Sequence, residues 1–413
     1  MDKLKETHYF SLPSQGNIYT MTHLQAANCP HKILVASLKR DIFCLEYQES
    51  AAGLIPTTKE VSFTYIPSGA EIISVDAFNK SDSKNEFVIG ITIIKNSNLM
   101  DAFEFYLNIY SEWEENEDFN IDNIAQNCLN VELSFTPYQL THTELIVWDG
   151  DTIASKEIVF LLSGSDNQVH VYREYTTDHL YKEVDNKEYF PEFIKTPSPV
   201  IWIDIHLNDD CTERLTAVAC ECGYVRLTKV CVKTNKLVFN FSTKLNNYIS
   251  HLKIFPEEQS VATEVALNNL DRGVLTKKGA LNLVVVNTIL PPVLFEDVLT
   301  YGLSNYISLP RHDYTCVLTC CQIADVDFDG EQEILIGNSS EEIMVYKRDP
   351  DKGWCLEELK MFASPIISMK YVDLLEDGIN ELVVLSLRGV HFLQHDFSFV
   401  DEVLSEKIKS LNF

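Results

Sequence analysis

One hydrophobic pattern recurs along the chain: a short apolar strand, a polar turn of roughly two to eight residues, and a second strand that tends to end on an aromatic. Its clearest copies lie at 33–47 and 158–172, with others at 215–227, 334–346 and 382–393. A looser copy runs over 87–110 with a longer excursion between its strands, and the weakest lies at 261–286. Seven copies in 413 residues allow about 59 residues each, which suits a four-stranded propeller blade. A pair of stacked β-sandwiches would also explain the strands, but it predicts no recurring unit. The expected fold is therefore all-β, a seven-bladed β-propeller.

Most of these strands are continuous apolar runs, as expected when both faces of a blade pack against neighbours. With only 15 glycines, many tight turns must rest on Asn, Asp and Ser. Segment 8–23 carries its own strand signal at 18–21, and an N-terminal strand pairing into the last blade would remove the open edges of the ring. Residues 1–400 are expected to form a single propeller domain and 401–413 a short tail. Val403, Leu404, Ile408 and Leu411 fall at helical spacing in that tail, so 401–412 is expected to be a short amphipathic helix docked on the body or on a partner. Segment 108–126, with Glu112, Glu114, Glu115, Glu117 and Asp118, reads as an acidic surface insertion, and 178–196 as another solvated loop.

Hydrophobic residues make up 46% and charged residues 23%, so a large core can form. The net charge of -28 would repel phosphate backbones and anionic headgroups, which argues against nucleic acid and against electrostatic membrane binding. No signal peptide is read at the start, and 281–295 is too broken to span a bilayer, so a cytoplasmic chain without direct membrane insertion is expected. Eleven cysteines show no zinc-site spacing. Cys44, Cys128, Cys220 and Cys316 sit in apolar runs and read as reduced, buried thiols.

The sharpest local signal is Asp325, Asp327, Asp329, Gly330 and Glu333. Carboxylates at alternate positions can converge on a hard cation, calcium or magnesium, while Asp side chains also cap their own turns. Position twelve is Ile336, so this is no EF-hand. The loop resembles the calcium loop of FG-GAP repeats, the blade units of integrin α-subunit propellers. One blade later the pattern returns in degenerate form as Asp373, Asp377, Gly378 and Glu381, with Leu375 in place of the central ligand. A structural turn is the expected role of both loops.

No G-x-S-x-G elbow, Walker A loop, H-E-x-x-H or dinucleotide fingerprint is present, and no catalytic residue is assigned. His170, His391 and His395 lie in or beside apolar strands and read as structural. A propeller hydrolase, which would need paired carboxylates around a loop-lined pocket, and an extracellular calcium-dependent adhesion module are the competing classes.

Segments 63–79, 124–140, 160–166, 325–333 and 385–395 together resemble the kaptin family, from about residue 8 to about 395, with little likeness over 234–310. The resemblance implies a non-catalytic subunit of KICSTOR. That assembly holds the GATOR-type GTPase-activating complex at the lysosomal surface and lets nutrient shortage restrain the rapamycin-target kinase complex. The implied partners are the integrin-α FG-GAP repeat containing propeller protein, other KICSTOR subunits and the GATOR-type complex. It also implies an alternative, association with actin filaments at cell edges; actin is acidic, and no local basic patch is read in this acidic chain to meet it. No interface position follows from the resemblance.

Overall fold

A computed structural model describes residues 3–25, 31–50, 53–80, 84, 86–97, 102–111, 120–175, 180–257 and 279–411. The acidic run Glu112, Glu114, Glu115, Glu117 and Asp118, and the 261–278 part of the weakest repeat copy, lie outside the described residues. The described strands form seven four-stranded sheets, numbered one to seven in chain order. The last sheet takes its fourth strand, Leu4–Ser11, from the N-terminus. That is the strand arrangement of a seven-bladed β-propeller.

In six sheets the repeat read from the sequence is the middle hairpin, the second and third strands; in sheet five the copy read at 261–286 overlaps only the second strand, and the third lies beyond it. The middle hairpins are Lys32–Ala36 with Ile42–Ser50, Phe87–Asn96 with Phe103–Ser111, Thr152–Gly164 with Val169–Tyr175, and Glu213–Cys220 with Tyr224–Cys231. They continue as Leu281–Asn287 with Val293–Phe295, Glu333–Asn338 with Glu342–Asp349, and Glu381–Ser386 with Gly389–His395.

The chain packs as two compact units, one of Ser11–Leu252 with Leu374–Glu376, the other of Met1–Phe10, Lys253–Asp373 and Asp377–Phe413. Within the first, Phe87, Ile89 and Ile91 of sheet two join a cluster with Leu34 and Ala36 of sheet one. The intervening Val88 joins Phe160 and Leu162 of sheet three. Alternate side chains of one strand thus enter two different cores, and the buried polar residue on it, Thr92, is answered by Ser74 of the neighbouring strand at 2.6 Å. In the second unit Leu335 joins Met369 and Leu382 of sheet seven, while Ile334 and Ile336 join Val284 and Leu294 of sheet five.

Two loop expectations are corrected. Of 178–196, Leu180–Val184 is the fourth strand of sheet three and Asn186–Tyr189 a helical turn, and Phe190, Glu192 and Phe193 are buried. Of 108–126, residues 108–111 end a buried strand, and the helix Ile121–Gln126 buries Ile121, Ile124 and Ala125. In both segments apolar side chains drive the backbone inward through sequence that reads as polar by its net charge. The strand signal at 18–21 is also displaced, because 18–20 is a turn and Met21–Leu24 is the first strand of sheet one. The C-terminal segment is a helix, Phe397–Leu411, whose first turn sets Phe399 against Phe328 at 6.1 Å between ring centroids.

Candidate functional site

The 325–332 loop joins the first strand of sheet six, Leu318–Ala324, to its second. Its aspartates first serve the backbone. Asp325 accepts from the Gly330 N–H at 3.0 Å, Asp329 from the Glu331 N–H at 2.7 Å, and Glu333 from the Val326 N–H at 2.8 Å. Phe328 at φ 58° and Gly330 at φ 90° take the left-handed turns this requires. Oxygens of Asp325, Asp327 and Glu333 lie within 4.8 Å of one another, so the structure does bring the predicted carboxylates together.

Two ammonium groups sit among them. Lys347, on the third strand, pairs with Asp327 and Asp329 and lies 3.5 Å from Glu333, and Lys3 reaches Asp327 at 2.9 Å. Burial pushes Asp325 up and pushes Glu333 up to about 8, so near neutral pH Glu333 carries a proton most of the time. Burial would also raise Asp327, but hydrogen bonds from Lys347 and Lys3 outweigh it and hold that carboxylate below its ordinary range. The donor set is of the type a hard cation takes, but Lys347 already supplies the positive charge where the oxygens converge, and a divalent ion would have to displace it.

The second loop repeats the turn. Asp373 accepts from Gly378 N–H at 2.8 Å and Asp377 from Ile379 N–H at 2.9 Å, with Glu376 at φ 58° and Gly378 at φ 87°. Register gives the comparison weight. Ile334 pairs with Tyr346 in sheet six and Leu382 with Leu393 in sheet seven, so the counterpart of Lys347 is Gln394. Where Leu375 removes the central carboxylate, the ammonium is gone as well. The sequence shows the carboxylates by spacing, but Lys3 and Lys347 become visible only through strand register.

His395 is 5% exposed and faces Phe328 and Tyr371. Tyr371 donates its hydroxyl proton to the Asp325 carbonyl at 3.1 Å, leaving its oxygen to accept from His395 Nε2 at 2.9 Å. Burial pushes this imidazole down to about 4. Folding therefore opposes its protonation: stability is intact above an unfolded value of roughly 6.5 and is lost as the pH falls toward 4, by about 3 kcal/mol there. Thermal melts between pH 7 and 4 should show a shallower acid decline in His395→Gln than in the parent; equal slopes would refute the assignment. His170 stacks on Phe135 at 3.9 Å and His391 meets Ser386 at 2.9 Å, both within packed sheets.

The ten described cysteines are free thiols, and burial pushes Cys44 and Cys320 up to about 12, which makes them unreactive. A groove of about 330 Å³ beside Tyr65, Pro67, Lys95 and Tyr106 has neither a carboxylate nor an imidazole in its lining. No helix among the described residues is long and apolar enough to cross a membrane.

Comparison with known proteins adds the family. Two solved structures resemble the chain in fold. The Dos1 propeller has a TM-score of 0.50 and 10% identity, covering 95% of each chain. Saccharomyces cerevisiae Sqt1 has a TM-score of 0.51 and 9% identity, covering 94% of this chain and 98% of that one. The KICSTOR complex protein kaptin of Mus musculus is 35% identical over 410 residues, 98% of this chain and 91% of that protein. The family model described as KICSTOR complex protein kaptin matches residues 4–405, so the chain belongs to the kaptin family.

Proposed function

We propose that the chain is a non-catalytic scaffold subunit of a KICSTOR-type assembly, which helps hold a GATOR-type GTPase-activating complex at the lysosomal surface and restrains the rapamycin-target kinase complex when nutrients are short. What carries the reading is kaptin-family likeness over nearly the whole chain, with 35% identity to a protein named for that complex. The mechanism is passive: blade edges and loops fix the geometry of several partners, among them an integrin-α FG-GAP repeat containing propeller. Affinity purification of the tagged chain from fed and starved cells should recover that second propeller and the KICSTOR subunits near stoichiometry. Recovery of actin filaments without them would replace this reading with the cytoskeletal one.

Within that scaffold the 325–333 loop acts as a structural turn neutralised by Lys347 in place of calcium or magnesium. Calcium and chelator should accordingly give the parent protein the same melting temperature. Lys347→Met leaves Asp327 and Asp329 short of a partner and should lose about 2 kcal/mol in chelator. Calcium should restore much of that loss in the variant. A parent protein that chelator destabilises would show instead that the loop holds a metal.

A further inference from the structure

The fourth strand of each sheet presents unpaired backbone groups along its outer edge, a template for another chain, and proteins blunt such edges with short strands, proline or charge. Six of the seven are blunted here. Those of sheets two, three and five are six, five and three residues long. Sheet one's contains Pro56, Lys59 and Glu60, sheet six's Glu357, Glu358 and Lys360, and sheet seven's Lys5, Glu6 and His8.

Sheet four's fourth strand, Lys236–Lys244, is neither short nor broken by proline or interior charge, and its one irregularity is a bulge at Val238 near one end. Its nine residues run Lys-Leu-Val-Phe-Asn-Phe-Ser-Thr-Lys, with no proline and charge only at the two ends. Leu237, Val238 and Phe241 are 43%, 56% and 41% exposed, and the Phe239 and Phe241 rings lie 4.8 Å apart. On its inner side the strand is paired with Tyr224–Cys231, and among the described strands no neighbour lies on the other side.

Charge decides what fits there. From 222 to 256 the chain has no Asp or Glu and six Lys or Arg, in a protein of net charge -28. Lys229 and Lys233 are engaged by Glu213 and Asp151, whereas Lys236 and Lys244 are exposed and in no ion pair among the described residues. Antiparallel pairing with a second copy, centred on Asn240, would set Lys236 against the second copy's Lys244 at both ends, so like charges oppose self-association. The bulge at Val238 sets Lys236 and Lys244 opposite Cys231 and Tyr224 of the inner strand, seven positions apart and on opposite faces. We propose that this edge adds an extended segment of a partner protein as a fifth strand, one in which acidic residues about seven positions apart, about 24 Å, bracket β-branched or aromatic residues. The inference does not depend on which complex the chain enters.

The test uses the full-length protein and two fluorescein-labelled peptides, Glu-Thr-Val-Thr-Val-Thr-Val-Glu and its twin with Lys at both ends, read by fluorescence anisotropy at low salt. The parent protein should bind the Glu-ended peptide at least about tenfold more tightly than the twin. Lys236→Glu combined with Lys244→Glu should reverse that preference, a gain of binding that misfolding cannot imitate. Val238→Lys with Phe241→Lys should abolish binding of the Glu-ended peptide. Absence of binding to the parent, equal binding of both peptides, or a preference unmoved by the double reversal would each overturn the proposal.

Discussion

Glu192→Ala is expected to cost 3 to 5 kcal/mol, roughly a third of the stability of a typical domain, because it strands a charge in the core of sheet four. Arg214 and Glu192 are 2% and 1% exposed at their side chains. Arg214 Nε donates to one carboxylate oxygen at 2.6 Å and a terminal nitrogen to the other at 3.1 Å, while the Thr216 hydroxyl donates to the first at 3.1 Å. The guanidinium also lies over the Phe190 ring, 4.3 Å from its centroid, and donates to the Tyr189 carbonyl. Arg226 fixes the same segment by donating to the carbonyls of Glu192 and Ile194. Removing the carboxylate leaves the Arg214 charge buried with only the Tyr189 carbonyl to accept from it; removing both charges does not. The double variant Glu192→Leu with Arg214→Met should thus recover much of the loss, so the two single costs should greatly exceed the double one in a cycle of thermal melts. Additive costs, or a single cost below about 1 kcal/mol, would show the pair to be solvated.

The same segment marks where sequence reading stops. Glu192 stands between Phe190 and Phe193 in a stretch that looks like a polar loop, and its burial depends on an arginine 22 residues away. The middle hairpins were legible because both faces of their strands are apolar: all six residues of Glu333–Asn338 and of Glu381–Ser386 are buried. The fourth strands were not. Lys236–Lys244 is almost wholly exposed, and Leu4–Ser11 buries only Leu4, so neither belongs to the long buried runs that make the middle strands readable. Sheet five gave the weakest signal because its third and fourth strands have three residues each. At the loop, carboxylate spacing is a local property and could be read, whereas the position of Lys347 opposite it follows from strand pairing.

Closure by the N-terminal strand gives the second large expected effect, at Gly389. A Cβ at this position would stand 2.2 Å from the Phe10 carbonyl oxygen and 2.7 Å from the Tyr9 ring, so no side chain fits while Leu4–Ser11 is in place. What holds that strand is modest in each part: the Thr7 hydroxyl donates to the Phe392 carbonyl at 3.2 Å, Glu6 meets His391 at 3.0 Å, and Phe10 packs edge-on to Phe392 at 5.8 Å. Overpacking of this kind costs about 3 kcal/mol and falls directly on the paired closing strand, so Gly389→Val should release the strand. Amide exchange over residues 4–11 should then approach that of an unfolded peptide, and exposure of the third strand, Gly389–His395, should promote aggregation. Deleting residues 1–11 should reproduce both effects, and adding Gly389→Val to the deletion should change stability little further, because the clash exists only against the strand that was removed. If Gly389→Val destabilises the truncated protein as much as the intact one, the glycine serves packing inside sheet seven, and closure does not depend on it.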